Sequence, residues 1–571
     1  MQVKFRTHGS RSSLMPTTML LAISLLLAAC ASTPEVTATP VPVPTSHAFS
    51  SAGPDDATAV PSQEIPAAAD STAVPTMTGI TVDLSAAARP FNPFLLGSNL
   101  PAWLGAGRTE NETFLERTRA SGISLIRLPG GSWSNYYDWL ACEQDNVCPW
   151  EGDILTPTDF INFMNATSLP GMYTINMNGT AQEAAALVAF FNGSVTDETP
   201  IGVDVLGRDW GKVSDWAQLR ADHGNPEPVG LVYWEIGNEL YAGKPGMGTE
   251  CTFEWGWEDG WTCDGVEYVT GIGEGAKRKD GFLDYAAAMK AVDPAIQIGA
   301  VGVNPPSEWT NWGNEVIAAA GEALDFYVVH EYGYFELPAT YEAVLALPQA
   351  VWGPMMAGLD AAFVEMGNGR SLPIALTEYN LISFQDADNQ QWMTRAVNML
   401  YLADTLGQMA EQGIAIANQW NLVNGQAGNG TDYGLLHADT YVRYPQYYIF
   451  PLWSQFGTAL LPVNSAFASD TTLSVYAGHN EAGAISLLAI NKTGEAITSG
   501  IHLLNGTGIF TSGTADVVQA AALDSQTVTF NGVANPANDL SDAPSTALEI
   551  SGNPFSYTFA PYSVTLIRLL P

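Results

Sequence analysis

Two stretches decide the fold: Tyr233-Trp234-Glu235-Ile236-Gly237-Asn238-Glu239 and, much later in the chain, Leu376-Thr377-Glu378-Tyr379. Each is an apolar run of strand length that ends in a carboxylate. A strand end is a rigid support for an acid, and two such ends can bring two carboxylates to one cleft. Cleavage of a glycosidic bond needs this arrangement, because one acid donates a proton while the other attacks or activates water.

Strand-like apolar segments recur eight times, and segments with helical spacing separate them. The segments are Leu95–Leu100, Ser124–Gly130, Met172–Met177, Leu231–Glu239, Ile296–Val303, Phe326–Tyr332, Pro373–Tyr379 and Ile414–Leu422. This alternation predicts an α/β fold, a (β/α)8 TIM barrel over residues 79–461, with a doubly wound sheet as the alternative. Glu239 and Glu378 end the fourth and seventh strands, at the face where barrels carry their chemistry.

The pattern changes after about residue 461. Short alternating runs between Gly, Asn and Pro turns predict a C-terminal antiparallel β-sandwich over residues 462–571. Thr78–Leu84, ahead of the barrel, is a further alternating run that can supply a strand to it. Packing against the barrel is the simpler role for this domain, and glycan binding is the alternative.

The N-terminus predicts export. A basic start and the apolar run Met15–Ala29 are typical of a signal peptide over residues 1–29. The run ends Leu27-Ala28-Ala29-Cys30, which resembles the lipobox of bacterial lipoproteins, so we expect cleavage before Cys30 and a lipid anchor there in the cell membrane. An ordinary secretory signal is the alternative. Residues 30–78 are rich in Pro, Thr and Ala, a composition that predicts a disordered tether.

Four cysteines remain besides Cys30, in two close pairs. Cys142–Cys148 and Cys251–Cys263 are the simplest of three disulfide pairings. A metal site is the alternative, but the spacings are not those of a zinc knuckle, and we expect neither metal nor cofactor. The net charge of −38 disfavours nucleic acid as a partner, since an acidic surface repels polyanions.

Several motifs together carry a resemblance to a known group of enzymes. They are Ile126-Arg127-Leu128-Pro129-Gly130-Gly131, Asn176-Met177-Asn178-Gly179-Thr180, His223-Gly224-Asn225-Pro226-Glu227-Pro228, the Trp-Glu-Ile-Gly-Asn-Glu run and Tyr444-Pro445-Gln446-Tyr447-Tyr448. The chain resembles glycoside hydrolase clan A, and is most similar to the family 51 α-L-arabinofuranosidases. Ser132 departs from that family, which usually has Asn after Gly-Gly.

The resemblance implies a retaining double displacement. Glu239 matches the general acid/base and Glu378 the nucleophile, with the carboxyl groups about 5–5.5 Å apart. Arg127 and Tyr332 are the expected hydrogen-bond donors that keep Glu378 ionised, and Asn238 is expected to bind the 2-OH group of the sugar.

Other candidates for substrate binding have simpler structural interpretations. His330 is a sugar contact or a core histidine, and Trp420 stacks on a sugar ring or fills the barrel. Ser132 and Trp133 are further subsite candidates. Glu235 is expected to be a buried partner for a cation such as Arg127 rather than a second catalyst.

The sequence therefore predicts an exported, membrane-anchored retaining glycoside hydrolase, an α-L-arabinofuranosidase acting on plant-type polysaccharide or oligosaccharide. An alternative keeps the mechanism with another sugar, as in a β-xylosidase, β-glucuronidase or endo-glycanase. A non-catalytic glycan-binding lipoprotein is the third hypothesis. The sequence does not fix the oligomeric state.

Overall fold

The computed structural model describes residues 79–145, 148, 152–243, 258–506 and 510–570. The predicted signal peptide, Cys30, the tether and Cys251 lie outside these residues. Two short strands precede the barrel, β1 (Gly79–Asp83) and β2 (Arg89–Pro90).

Eight parallel strands form a closed barrel, which confirms the predicted (β/α)8 fold and excludes the doubly wound sheet. They are β3 (Gly97–Asn99), β4 (Leu125–Leu128), β5 (Gly171–Ile175), β6 (Tyr233–Ile236), β7 (Gln297–Val301), β8 (Phe326–Tyr334), β9 (Ile374–Ile382) and β10 (Ile416–Gln419). Gln419 on β10 pairs with Ser98 on β3 and closes the ring. The strands are apolar on both faces because side chains fill the barrel and helices cover it.

Helices follow most of the barrel strands. Their bounds are α1 (Ala106–Thr109), α2 (Glu112–Ala120), α3 (Trp139–Asp145), α4 (Pro157–Thr167), α5 (Ala181–Asn192), α6 (Val213–Asp222), α7 (Gly265–Thr270), α8 (Phe282–Val292), α9 (Glu308–Ala320), α10 (Tyr341–Ala346), α11 (Pro348–Met366), α12 (Ala396–Gln412) and α13 (Ile449–Trp453). The Thr180 hydroxyl caps α5 by accepting from the Glu183 backbone N–H. α12 packs between the barrel and the C-terminal sheets, so it is buried almost all round.

The remaining strands form the predicted β-sandwich. They are β11 (Ala459–Leu461), β12 (Val463–Ser465), β13 (Leu473–His479), β14 (Ile485–Asn491), β15 (Ile497–Leu504), β16 (Ser512–Ala520), β17 (Val528–Phe530), β18 (Val533–Ala534), β19 (Thr546–Glu549), β20 (Phe555–Phe559) and β21 (Ser563–Leu570). One sheet has the order β12-β1-β15-β20, so β1 lies inside it, antiparallel to β12 and parallel to β15. The larger sheet runs β18-β17-β16-β21-β14-β13-β11-β2, and β19 also pairs with β16. The pairing of β2 with β11 has no counterpart in the sequence analysis.

A buried ion pair joins the two domains. Lys492 Nζ, in the sandwich, donates to Asp404 Oδ2 on α12 at 2.8 Å, and neither side chain is exposed. The same ammonium donates to the carbonyl oxygens of Leu345 and Ser469, each at 2.7 Å. The Tyr476 hydroxyl donates to Asp404 Oδ1 at 2.6 Å. We call this set the interface clamp. Both charges are met by close polar partners.

Cys142, on α3, and Cys148 form the predicted disulfide, with Cα atoms 4.3 Å apart. The second predicted pair includes Cys251, outside the described residues. Within the described part of the chain, none of the helices combines the length and hydropathy needed to span a membrane.

Candidate active site

A single guanidinium joins the ends of four barrel strands. Arg127, on β4, is fully buried and donates to Glu235 Oε2 at 2.7 Å and to Glu378 Oε1 at 2.9 Å. It also donates to the side-chain oxygens of Asn99 at 3.1 Å and Asn238 at 2.7 Å. The expected role of Glu235 as a buried partner of Arg127 agrees with this geometry. The rigid arginine fork thus fixes the relative positions of these four side chains.

Glu378 lies on β9 with a donor at each carboxylate oxygen. Tyr332, on β8, donates its hydroxyl to Oε2 at 2.8 Å, opposite the bond from Arg127. Burial raises the pKa of Glu378, while the positive charges of His330 and Arg127 oppose that rise. The two donors therefore stabilise the ionised form against the cost of burial.

Glu239 is not on a strand, contrary to the predicted segment Leu231–Glu239. β6 ends at Ile236 because Gly237, at φ 85°, turns the chain, and Glu239 itself has a left-handed backbone with φ 43°. Its Oε1 lies 2.8 Å from His330 Nδ1, and the Tyr241 hydroxyl donates to it at 3.3 Å. This turn aims the carboxylate of Glu239 into the mouth of the barrel.

His330 lies between the two acids, with its Nδ1 2.8 Å from Glu239 Oε1 and 3.8 Å from Glu378 Oε2. Its Nε2 lies 2.9 Å from Thr377 Oγ1, and its Nδ1 faces Glu239. Burial works against a charged imidazole, but the carboxylates of Glu378 and Glu239 outweigh it and raise the pKa of His330. One ligand atom each from Glu239, His330 and Glu378 lie within 4.8 Å of one another. These three side chains could coordinate a metal ion, but each already bonds a protein group.

Ser132 enters the same network through a carboxylate that sequence reasoning missed. Its hydroxyl donates to Glu258 Oε1 at 2.6 Å, and Glu258 Oε1 also accepts from Asn238 Nδ2 at 3.1 Å. Asn135 Nδ2 donates to Glu258 Oε2 at 2.7 Å. Glu258 lies in the connection between β6 and β7, where nothing in the local sequence marks it. We call Ser132, Asn135, Asn238 and Glu258 the amide cluster.

An aromatic wall borders the pocket. Trp103 lies between Trp133 and Trp420, with ring centroids 5.2 and 6.0 Å away. The Trp420 ring covers Gly131, where an added Cβ would come within 2.6 Å of the indole, and Gly131 also has a φ of 64°. Trp420 is 8% exposed, so most of its surface packs against the protein and one edge reaches the mouth of the barrel.

The structure thus brings together Glu239, Glu378, Arg127, Asn238, His330 and Tyr332, adds Ser132 through Glu258, and places Trp133 and Trp420 on one side. Missed by the sequence analysis were Asn99, Asn135 and Glu258. Asn99 lies at the end of β3, so its strand-end position is a signal that could have found it. No comparable signal marks Asn135 or Glu258.

Similarity to known sequences covers part of the chain. An α-L-arabinofuranosidase C from Emericella nidulans is 26% identical over 210 residues, 34% of this chain and 33% of that protein. An intracellular exo-α-(1→5)-L-arabinofuranosidase from Bacillus subtilis is 25% identical over 228 residues, 37% of this chain and 36% of its own. The match spans about a third of the length of these curated relatives. No family model matches the chain.

Similarity to solved structures covers most of the chain. An α-L-arabinofuranosidase from Thermotoga maritima, in complex with arabinose, aligns with a TM-score of 0.65 and 20% identity over 86% of this chain and 100% of that chain. A family 51 α-L-arabinofuranosidase from Bifidobacterium longum gives 0.63 and 18% over 87% of this chain and 100% of that chain. The chain therefore shares the barrel-and-sandwich fold of the family 51 α-L-arabinofuranosidases.

Proposed function

We propose that this protein is a retaining glycoside hydrolase that releases α-L-arabinofuranosyl units from plant-type polysaccharide or oligosaccharide. The proposal depends on one observation above all: a carboxylate oxygen of Glu239 and one of Glu378 lie within 4.8 Å of each other. Retention needs carboxyl groups about 5–5.5 Å apart, whereas inversion needs roughly 6.5–9.5 Å to admit a water. The close spacing favours direct attack by one of the two carboxylates.

The hydrogen-bond partners of Glu378 and Glu239 indicate which is the nucleophile and which is the acid/base. Glu378 accepts bonds from Arg127 and Tyr332 and so stays ionised, as a nucleophile must. It attacks the anomeric carbon while Glu239 gives its proton to the departing glycosidic oxygen. Glu239 then takes a proton from water, which attacks the same carbon and breaks the ester to Glu378. His330 Nδ1, 2.8 Å from Glu239 Oε1, holds the Glu239 carboxyl group in position for both steps.

The charge of the pocket supports a neutral sugar. Arg127 is the only Lys or Arg at the described ends of the barrel strands, and its donors are taken by Glu235, Glu378, Asn99 and Asn238. A uronic acid would require a cation for its carboxylate. Both sequence relatives described above are α-L-arabinofuranosidases, which supports arabinofuranose in particular.

A panel of aryl glycosides tests this proposal. We expect 4-nitrophenyl α-L-arabinofuranoside to be cleaved at least tenfold faster in kcat/KM than the matching β-D-glucuronide, about 1.4 kcal/mol of transition-state discrimination. The β-D-xyloside and cellobioside in the same panel test the alternative sugars. Equal rates, or a preference for the glucuronide, would reject arabinofuranose while leaving the catalytic pair in place.

We further propose that Cys30 carries a lipid that anchors the protein outside the cytoplasm. The small residues before Cys30 and the apolar run Met15–Ala29 support this. Labelled palmitate should enter the wild type, and Cys30→Ser should release the protein from the membrane. A wild type that is soluble and unlabelled would reduce Cys30 to part of an ordinary secretory signal.

A further inference from the structure

Glu258 is a fully buried carboxyl group held in place from several sides. Its backbone N–H donates to the carbonyl oxygen of Ala242 at 3.0 Å, just after β6. Close by, the Trp261 indole N–H donates to the carbonyl oxygen of Met177 at 3.1 Å, and the Asn178 amide donates to that of Asp259. Residues 258–261 are therefore fastened to the ends of β5 and β6, so Glu258 has a fixed position beneath the pocket.

The side chain of Glu258 meets neutral donors. Ser132, Asn135 and Asn238 supply its hydrogen bonds, at 2.6, 2.7 and 3.1 Å. A buried carboxyl group without a cation destabilises the folded state unless it is protonated or fully hydrogen-bonded. Such a group next to Asn238 and Glu239 calls for a functional explanation.

The amide of Asn238 has one orientation in this network. Its Oδ1 accepts from Arg127 at 2.7 Å, and its Nδ2 donates to Glu258 at 3.1 Å. Asn135 holds the Asn238 backbone twice, donating to its carbonyl oxygen at 2.7 Å and accepting from its N–H at 2.9 Å. Loss of the Glu258 carboxyl would leave the Nδ2 end of the amide without this partner.

We propose that Glu258 is a positioning residue for the sugar pocket, which fixes the Asn238 amide and the Ser132 hydroxyl in the orientation that the glycoside meets. This inference rests on the proposed function. It treats Glu258 as acting through its two neighbours, because its own side chain is fully buried and does not reach the pocket.

The protonation of Glu258 affects the direction of its hydrogen bond with Ser132. Burial and the neighbouring Glu239 raise the pKa of Glu258 to about 8. Glu378, Tyr241 and Tyr136 also lie close to Glu258, and all three are negative or neutral. Among the three partners, only the Ser132 oxygen can accept, since the amide groups of Asn135 and Asn238 present N–H. The Ser132 hydroxyl, which donates to the Glu258 carboxylate at 2.6 Å, is therefore the one partner whose hydrogen bond can reverse when Glu258 takes up a proton.

The substitution Glu258→Gln tests this arrangement. A glutamine amide must place its NH2 group against the NH2 of Asn135 or Asn238, so it cannot satisfy all three partners. We expect E258Q to lower kcat/KM for 4-nitrophenyl α-L-arabinofuranoside at least tenfold. On the 2-deoxy analogue, which lacks the hydroxyl expected to meet Asn238, we expect less than a twofold difference from the wild type.

Glu183→Gln is the matched control. Glu183 is also a buried carboxyl group whose pKa burial raises, to about 7, but it lies in the first turn of α5. E183Q should leave the ratio of rates on the two substrates at the wild-type value. Equal losses of E258Q on both substrates, or no loss on either, would show that Glu258 has only a structural role or none.

A crystal structure of the Glu258→Ala variant gives a reading that needs no activity. We expect the Asn238 amide to leave its wild-type orientation once its Nδ2 group has lost the Glu258 carboxyl group, whereas an unmoved Asn238 would overturn the inference. The activity assay and the crystal structure together distinguish failure of the proposed function from failure of the role proposed for Glu258. A wild type that cleaves no glycoside defeats the proposed function, and the position of Asn238 still decides the role of Glu258. A wild type that cleaves, with E258Q unimpaired, defeats the role of Glu258 alone.

Discussion

Two of the cations buried in the described part of the chain, Lys492 and Arg127, have opposite surroundings. Lys492, in the interface clamp, faces one carboxylate, Asp404, and several carbonyl oxygens. Arg127, in the pocket, is shared by Glu235 and Glu378. Two further carboxyl groups, Glu239 and Glu258, lie close by with only His330 to add positive charge. Charge is balanced at the clamp and negative in excess at the pocket.

This difference separates stability from chemistry. A balanced buried pair holds two domains together, since removal of either partner leaves an unpaired charge. An excess of carboxyl groups is costly for folding, but it forces the groups to compete for protons, and such competition is what an acid/base pair requires. The excess of carboxyl groups in the pocket therefore destabilises the fold, whereas the balanced ion pair of the clamp does not.

The strongest test removes the acid that Arg127 keeps ionised. Glu378→Ala should lower kcat/KM on every substrate by at least about 10⁴-fold, because the covalent step loses its nucleophile. Steady-state rates on aryl arabinofuranoside measure the loss. Glu322→Ala, at a carboxylate whose side chain is 92% exposed, is the control and should keep wild-type rates. Residual activity of E378A above a hundredth of wild type would contradict the assignment.

Removal of the acid next to His330 should have a smaller and selective effect. Glu239→Ala should slow the release of the enzyme-bound sugar by about 10²–10⁴-fold, while activated aryl leaving groups depart with little help. Azide should restore turnover and yield a glycosyl azide of retained configuration, identified by NMR. An inverted azide from this variant would exchange the roles assigned to Glu239 and Glu378.

Breaking the balanced pair should affect stability and leave chemistry intact. Lys492→Met leaves Asp404 buried without its cation and should lower the free energy of unfolding by about 3–5 kcal/mol. Denaturant titration measures this, and kcat/KM of the folded fraction should stay at the wild-type value. Adding Asp404→Leu to Lys492→Met should recover part of the loss. A stable single variant would mean that the clamp contributes little.

The mildest test uses pH on a carboxyl group without a cation. Burial raises the pKa of Glu331 from 4.5 to about 7, so the folded state binds more protons than the unfolded state between these values. Stability from this group is present below pH 4.5 and is lost as pH rises through 7, on the order of 1–3 kcal/mol. Glu331→Gln should flatten the decline in unfolding free energy between pH 5 and 8. An unchanged slope would show that Glu331 is ionised throughout.

Sequence patterns predicted the parts of this site that depend on strands. Glu378, Arg127 and Tyr332 lie in apolar runs that were predicted as barrel strands, so their convergence follows from the fold. Glu239 was expected on a strand, but the left-handed turn after Gly237 depends on nearby packing. Glu258 could not be predicted, because Ser132 and Asn135 reach it from another connection and such contacts have no local period.

The pairing of β2 with β11 was missed for a related reason. Arg89–Pro90 is too short to show alternation, and its partner Ala459–Leu461 lies at the far end of the barrel sequence. In contrast, β1 has the alternating pattern that marks a strand, and it joins the sheet that the pattern suggested. A strand as short as β2 therefore could not be predicted from its sequence pattern, whereas the longer β1 could.

The position of β1 has a consequence for synthesis on the ribosome. β1 is made before the barrel, but both of its neighbours, β12 and β15, are made after it. At about 5–20 residues per second, the nascent β1 waits roughly 20–80 s for its first partner to appear. During that time its hydrogen-bonding edges are open to wrong partners. Stalled or truncated chains should therefore expose the unpaired edges of β1.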